Sequence, residues 1–106
     1  MERDYFDEAK TFKAFCDEKR LRILALLLDG EKCVCALNEE MDLPQSTLSY
    51  HMKILCESGV VEGRQEGKWT HYSISVQGIG SAAETLKRYV PKGVIQLGDE
   101  GCCASL

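Results

Sequence analysis

Residues 43–59 read LPQSTLSYHMKILCESG, and the interpretation of this stretch decides the fold. Leu48, Met52 and Leu55 recur at i, i+4 and i+7, which predicts a helix pinned along one face. Gln45, Ser46, Thr47, Ser49, Tyr50 and Lys53 crowd the polar side of its first two turns. All but the lysine are neutral hydrogen-bonding groups, short or flat. Such a surface suits a DNA major groove, where base edges differ in their pattern of donors and acceptors. It equally suits an ordinary amphipathic surface helix, so the flanking sequence must decide. His51 is expected near the polar side, supporting a DNA contact or the turn.

Immediately upstream, residues 31–41 offer Val34, Leu37 and Met41 as the buried set of a short helix, broken at Asp42-Leu43-Pro44. Two helices joined by so tight a turn make a helix-turn-helix over residues 34–58. Pro44 suits the start of the second helix because its missing N–H would have had no partner there. Ser46 or Gln45 can serve the free amides nearby, and Gly59 closes the helix. Downstream the period changes. Val60-Val61 and Trp69–Ile74 are rich in branched and aromatic residues around a Gln65-Glu66-Gly67-Lys68 turn, which predicts a hairpin over residues 60–74. A helix-turn-helix followed by a hairpin is a winged helix, mainly α with a small β-hairpin. At the wing tip Arg64, Gln65 and Lys68 can reach phosphates or a minor groove, or can simply be solvated. Trp69 is expected to anchor the hairpin by packing, with His71 packed beside it.

Further out, Tyr5, Ala9, Phe12 and Cys16 recur at helical intervals, with Phe6 and Phe15 beside them. This predicts a first helix over residues 4–16 with more apolar surface than a peripheral helix needs, so part of it should pack on a second chain. Asp17 is a suitable N-cap for a second helix, whose Leu21, Leu24, Leu27 and Leu28 are expected to be core, stopped by Asp29-Gly30. After Gly78, the residues Ile79, Ala82, Ala83, Leu86 and Val90 predict a last helix ended by Pro91. Residues 1–16 and 79–90 together form a natural dimer seam. The tail over residues 92–106, with three glycines and Cys102-Cys103, is expected to be mobile until something holds it.

With 106 residues, the expectation is a single domain over residues 1–106. No apolar run approaches the ~20 residues of a bilayer span, and residues 1–10 are charged where a secretory signal would be apolar. A soluble, cytoplasmic protein is expected, without membrane contact. The formal charge of −4 argues against non-specific clinging to nucleic acid. Residues 1–43 carry 7 basic and 11 acidic groups, whereas residues 44–72 carry 3 of each. DNA affinity would therefore rest on placed contacts, helix N-termini and two copies of the reading helix. No Ser/His/Asp set, phosphate loop or spaced carboxylate pair points to catalysis, so no enzyme is expected.

Six cysteines in a reducing compartment favour metal binding or redox sensing over a disulfide scaffold. Cys33-Val34-Cys35 stands at the front of the third helix. Residues two apart on a regular helix point to nearly opposite sides, so both sulfurs can face one ion only if the backbone is extended or unwound there. A disulfide between such close neighbours would be strained, whereas two thiolates sharing a soft ion are not. Cys16 and Cys56 lie on or beside apolar stripes and are expected to behave as small core hydrophobes. Cys102-Cys103 has no helix to justify burial; ligand, redox pair and idle tail all remain open.

With these residues in place, the chain resembles the ArsR/SmtB family of metal-sensing winged-helix repressors, arsenic-responsive branch. The resemblance spans residues 12–74 and rests on four pieces: DEKRLRIL (17–24), EKCVCAL (31–37), QSTLSYHMK (45–53) and RQEGKWTHY (64–72). It implies a homodimer that binds operator double-stranded DNA and lets go when a toxic soft ion occupies the sensor site. Cys33 and Cys35 match the family's sensor box, which implies As(III) or Sb(III) as effector, with Cd(II) or Pb(II) as the alternative. The DNA contacts implied are Gln45, Ser46, Thr47, Ser49, Tyr50, His51, Lys53, Arg64 and Lys68. Three departures stand out. Asn38 occupies the position where arsenic-type members often have a third cysteine, and arsenite prefers three thiolates. Cys102 or Cys103 is the first candidate to supply the missing sulfur, ahead of Cys16 and Cys56. Pro44 replaces the usual serine cap. The last helix offers only Glu84 where zinc-sensing members carry histidine and carboxylate ligands, so zinc sensing there is not expected. A thiol-redox repressor and a winged-helix module that touches protein instead of DNA are the rival readings.

Overall fold

The computed structural model describes residues 4–93. In chain order the elements are α1 (Tyr5–Lys13), α2 (Glu18–Leu27), β1 (Lys32–Cys33), α3 (Val34–Met41), α4 (Gln45–Ser58), β2 (Val61–Glu66), β3 (Trp69–Ile74) and α5 (Val76–Lys87). The three strands form one antiparallel sheet in the order β1-β3-β2, so the wing hairpin gains a short third strand from the segment before α3.

The helix starts follow side-chain chemistry. Asp4 caps α1 by accepting from the Asp7 N–H at 3.2 Å, and Asp17 caps α2 by accepting from the Lys19 N–H at 2.7 Å. Ser75 caps α5 through its Oγ, which accepts from the Gly78 N–H at 2.9 Å. The last helix therefore begins at Val76, ahead of the expected start after Gly78, because Ser75 satisfies an orphan amide that the apolar periodicity does not register. At its other end it stops at Lys87, before Pro91. Helix α4 ends at Gly59, whose φ of 89° is a left-handed closure that glycine adopts without strain.

The core gathers between α2, α3, α4 and the start of β2. Ile23, Leu37, Leu48, Met52, Leu55 and Val60 are its largest fully buried side chains. The Leu48, Met52 and Leu55 stripe thus pins α4 as expected. Leu24 and Leu27 are buried too, but Leu21 and Leu28 are 49% and 76% exposed, so only half of the expected leucine stripe is core. The buried face of α2 is instead Arg20, Ile23, Leu24 and Leu27, rotated from the line of Leu21 and Leu28. Helix α1 packs on α4 and α5. Its Glu8 is buried and accepts from Arg88 at 3.1 Å and from the Tyr89 hydroxyl, while Phe12 meets the Tyr89 ring edge-on at 6.2 Å. No helix of the described residues is long and apolar enough to cross a membrane.

Candidate nucleic-acid interface and thiol site

Helix α4 starts without a side-chain cap. Pro44 holds the N-cap position and its carbonyl accepts from the Thr47 and Leu48 amides, each at 3.0 Å, so neither Gln45 nor Ser46 acts as the cap expected of them. Both are exposed instead, as are Ser49, Tyr50 and Lys53, while Thr47 is half-buried. With Leu48, Met52 and Leu55 fixed inward, the first two turns of α4 hold a continuous strip of neutral hydrogen-bonding groups and one cation toward solvent.

His51 does not belong to that strip. It is 5% exposed, and its Nδ1 accepts from Arg20 Nη1 at 3.0 Å, so its ring lies on the buried side of α4 and not near the polar side where it was expected. An Nδ1 that accepts leaves the ring proton on Nε2 in the neutral form. Loss of hydration holds the imidazole below its ordinary titration range, opposed by Asp17 and aided by Arg20. Arg20, itself 6% exposed, also donates from Nε to the Lys13 carbonyl at 3.2 Å. This buried arginine went unmarked in the sequence, although Arg20, Ile23, Leu24 and Leu27 share one helical face by spacing alone.

On the wing, Arg64 donates from Nε and Nη2 to the two carboxylate oxygens of Glu31, both at 2.8 Å, and from Nη1 to Glu66 at 3.1 Å. Glu31 is held below the usual carboxylate range, first by that hydrogen bonding. Lys68, next to the Gly67 turn, is exposed and forms no ion pair among the described residues. Thr70 donates to Gln65 at 3.1 Å across the hairpin. Trp69 is 53% exposed and pairs with Glu66 at the turn end of the hairpin, so it does not anchor the hairpin by packing. His71 is half-buried, with Nε2 3.6 Å from Glu66.

The thiol pair straddles an element boundary. Cys33 is the last residue of β1 and the N-cap of α3, with φ −79° and ψ 160°, whereas Cys35 lies one residue inside the helix. This is the extended backbone that the spacing requires if both sulfurs are to serve one ion. The Cys35 thiol is pushed up, by lost hydration first and then by the neighbouring Cys33 thiol. Cys33 is half-buried and Cys35 exposed. Beside them Asn38 has a buried Oδ1 without a hydrogen-bond partner, and Val34, Cys35, Asn38 and Gln45 line a hollow of about 110 Å³. Cys35 thus shares that hollow with Gln45, the first residue of α4.

Cys16 is exposed rather than core, because α1 ends at Lys13 and its stripe stops with it. Cys56 is half-buried against the core, and burial raises its thiol. Cys102 and Cys103 lie outside the described residues. Among those that are described, no group of three or more His, Cys, Asp and Glu is placed to hold a metal ion.

A helix-turn-helix carrying an exposed polar reading helix, followed by a β-wing, defines a winged-helix DNA-binding protein. Residues 17–63 match the family model described as bacterial regulatory protein, arsR family. The chain is 46% identical to the arsenical resistance operon repressor of Escherichia coli over 60% of this chain and 56% of that one. It is 33% identical to the arsenical resistance operon repressor of Staphylococcus xylosus over 92% of this chain and 88% of that one. Its fold matches the homodimeric winged helix-turn-helix DNA-binding domain of a possible ArsR-family regulator of Mycobacterium bovis, with a TM-score of 0.66 and 28% identity over 79% of this chain and 78% of that one. The chain belongs to the ArsR family, whose members are DNA-binding transcription regulators and not enzymes.

Proposed function

We propose that the protein is a cytoplasmic, homodimeric repressor that leaves its operator when a thiophilic metal(loid) ion binds Cys33 and Cys35, with arsenite or antimonite as the effector. The observation that carries this reading is the placement of the two thiols at the β1–α3 junction, one of them lining the hollow that Gln45 of α4 also lines. An ion drawing both sulfurs together acts on the start of α3, and α3 meets the reading helix through that hollow. Two reading helices that must fit half-sites about one DNA turn apart tolerate little rotation. In this reading Gln45, Ser46, Thr47, Ser49, Tyr50 and Lys53 face bases and backbone, and Lys68 and Arg64 face phosphates. Coupling of about 1–3 kcal/mol is common between such sites, and nearly complete switching takes about 5.5 kcal/mol.

A divalent effector, Cd(II) or Pb(II), is the second reading. It is favoured by Asn38, which has a buried, unpartnered oxygen and occupies the sequence position where, by the resemblance, arsenic-type members often carry a third cysteine. A sulfur from Cys102 or Cys103 would favour arsenite instead. The test is a gel shift with the duplex upstream of the protein's own gene, titrated with arsenite, antimonite, cadmium and lead under reducing conditions. Cys33→Ser should bind the duplex as wild type does and no longer release it. Loss of DNA binding together with loss of response would count against the reading, and release by peroxide without any ion would favour a redox repressor.

A further inference from the structure

We infer that Glu31 competes with operator phosphate for Arg64, so that the acidic residue leading into the thiol pair sets how strongly the wing grips DNA. The inference rests on the DNA-binding reading and adds to it a residue that opposes binding. Arg64 spends three of its N–H groups on carboxylates: Nε and Nη2 on Glu31 and Nη1 on Glu66. The two parallel 2.8 Å bonds to Glu31 have the fork geometry with which a guanidinium also takes a phosphate. The contact joins distant parts of the chain. Glu31 directly precedes β1, while Arg64 lies on β2, and Cys33, His71 and Arg64 are successive partners across the β1-β3-β2 sheet.

The charge on the wing gives the pair its consequence. Residues 61–74 carry Glu62, Arg64, Glu66 and Lys68, a formally neutral set apart from His71. With Arg64 neutralised by two carboxylates, Lys68 is the remaining cation of that segment to meet a phosphate. The pair is half-open to water, with side-chain exposures of 53% for Arg64 and 35% for Glu31. An exposed ion pair is worth little by itself, so a duplex phosphate can displace the carboxylate at small cost. A phosphate contact by Arg64 therefore requires an exchange that Glu31 opposes.

The experiment measures operator affinity across a salt series for the full chain, reduced and without ion, using the duplex upstream of its own gene. The variants are Glu31→Gln, Arg64→Gln, the double variant, and Glu39→Gln, which removes an exposed carboxylate on α3 away from the pair. Urea midpoints check that each variant is folded. Glu31→Gln should bind about fivefold tighter at low salt, the scale of one exposed pair released. Its plot of log affinity against log salt should steepen by about 0.9, one further phosphate neutralised. Both gains should vanish in the double variant and be absent from Glu39→Gln. Equal or weaker binding by Glu31→Gln with an unchanged slope overturns the inference while leaving the DNA-binding reading intact. A gain that survives without Arg64, or that Glu39→Gln matches, also overturns it by showing general electrostatics. Failure of the wild-type chain to bind the duplex overturns both.

Discussion

His51 shows how one residue can be assigned to the wrong side of a helix. Its neighbours Ser49, Tyr50 and Lys53 are polar and exposed, which drew it toward the reading surface. Yet Leu48, His51, Met52 and Leu55 stand at i, i+3, i+4 and i+7, so the helical period alone already placed it on the buried stripe. The polarity of imidazole hid this, and Arg20 resolved it by supplying a hydrogen bond inside. Ionisation has a clear sign here. The folded ring titrates below the roughly 6.5 of a free imidazole, because burial and the nearby Arg20 disfavour its charged form more than Asp17 supports it. The unfolded chain then binds the extra proton first, so this residue's contribution is intact above that value and is lost as pH falls through and below it. Urea midpoints should therefore decline from pH 7 toward pH 5 more steeply for the wild-type chain than for His51→Gln, which keeps an acceptor for Arg20 and does not titrate. Parallel declines would show that His51 plays no part. Arg64 was legible as a wing cation, but its partner was not, since Glu31 is far from it in sequence and only the sheet brings the two together.

At the scale of elements, helices α2, α3 and α4 and the hairpin followed from period, caps and turn residues. The strand β1 did not, because two residues carry no periodicity of their own and pairing with β3 defines them. Spacing puts Cys33 at the front of a helix and makes an extended backbone only the condition for two sulfurs to face one ion; β1, through its own pairing with β3, meets that condition at Cys33. The start of α5 was misplaced for a related reason. Gly78 looked like a boundary, whereas it lies inside the helix that Ser75 caps, and the close approach of the α4–β2 turn leaves no room there for a side chain. A Cβ built on Gly78 would stand 1.8 Å from the Gly59 carbonyl oxygen and 3.1 Å from Val60 Cα. Helix propensity favours alanine over glycine by about 1 kcal/mol, so propensity alone predicts that Gly78→Ala stabilises the protein. The contact predicts the reverse. Backbone cannot swing aside as a side chain can, and the loss should reach about 3 kcal/mol, the upper end of overpacking costs. The sign of the change in thermal midpoint separates the two.

For the whole molecule, the apolar surface left open matters more than the core. Leu28 at 76% exposure and Leu86 at 61% are too exposed for interior residues of a finished assembly. Leu24, Ala25, Leu28, Ile74, Val76 and Ile79 line one apolar hollow of about 310 Å³. Phe12, Phe15, Ile79, Ala82, Ala83 and Leu86 line another of about 230 Å³, and Ile79 is common to both. Periodicity alone cannot tell a core leucine from an exposed one on the edge of the same stripe, which is why Leu21 and Leu28 read as core. The aromatic excess of α1 and the stripe of α5 did mark the open face correctly as apolar. With a second copy covering it, two reading helices are held at fixed spacing, and the second half-site is then engaged at the effective concentration of a tethered partner. Ala83 is exposed, so Ala83→Glu leaves the protomer's own core untouched while placing a charge in the seam. If the proposed dimer forms through this face, the helical circular dichroism should be unchanged, sedimentation should shift from dimer for the wild-type chain to monomer for the variant, and operator affinity should fall by about 10²-fold or more as the linkage between half-sites is lost. A variant that sediments as the wild type does and binds the operator equally well would mean that the α1–α5 face does not hold the two copies together.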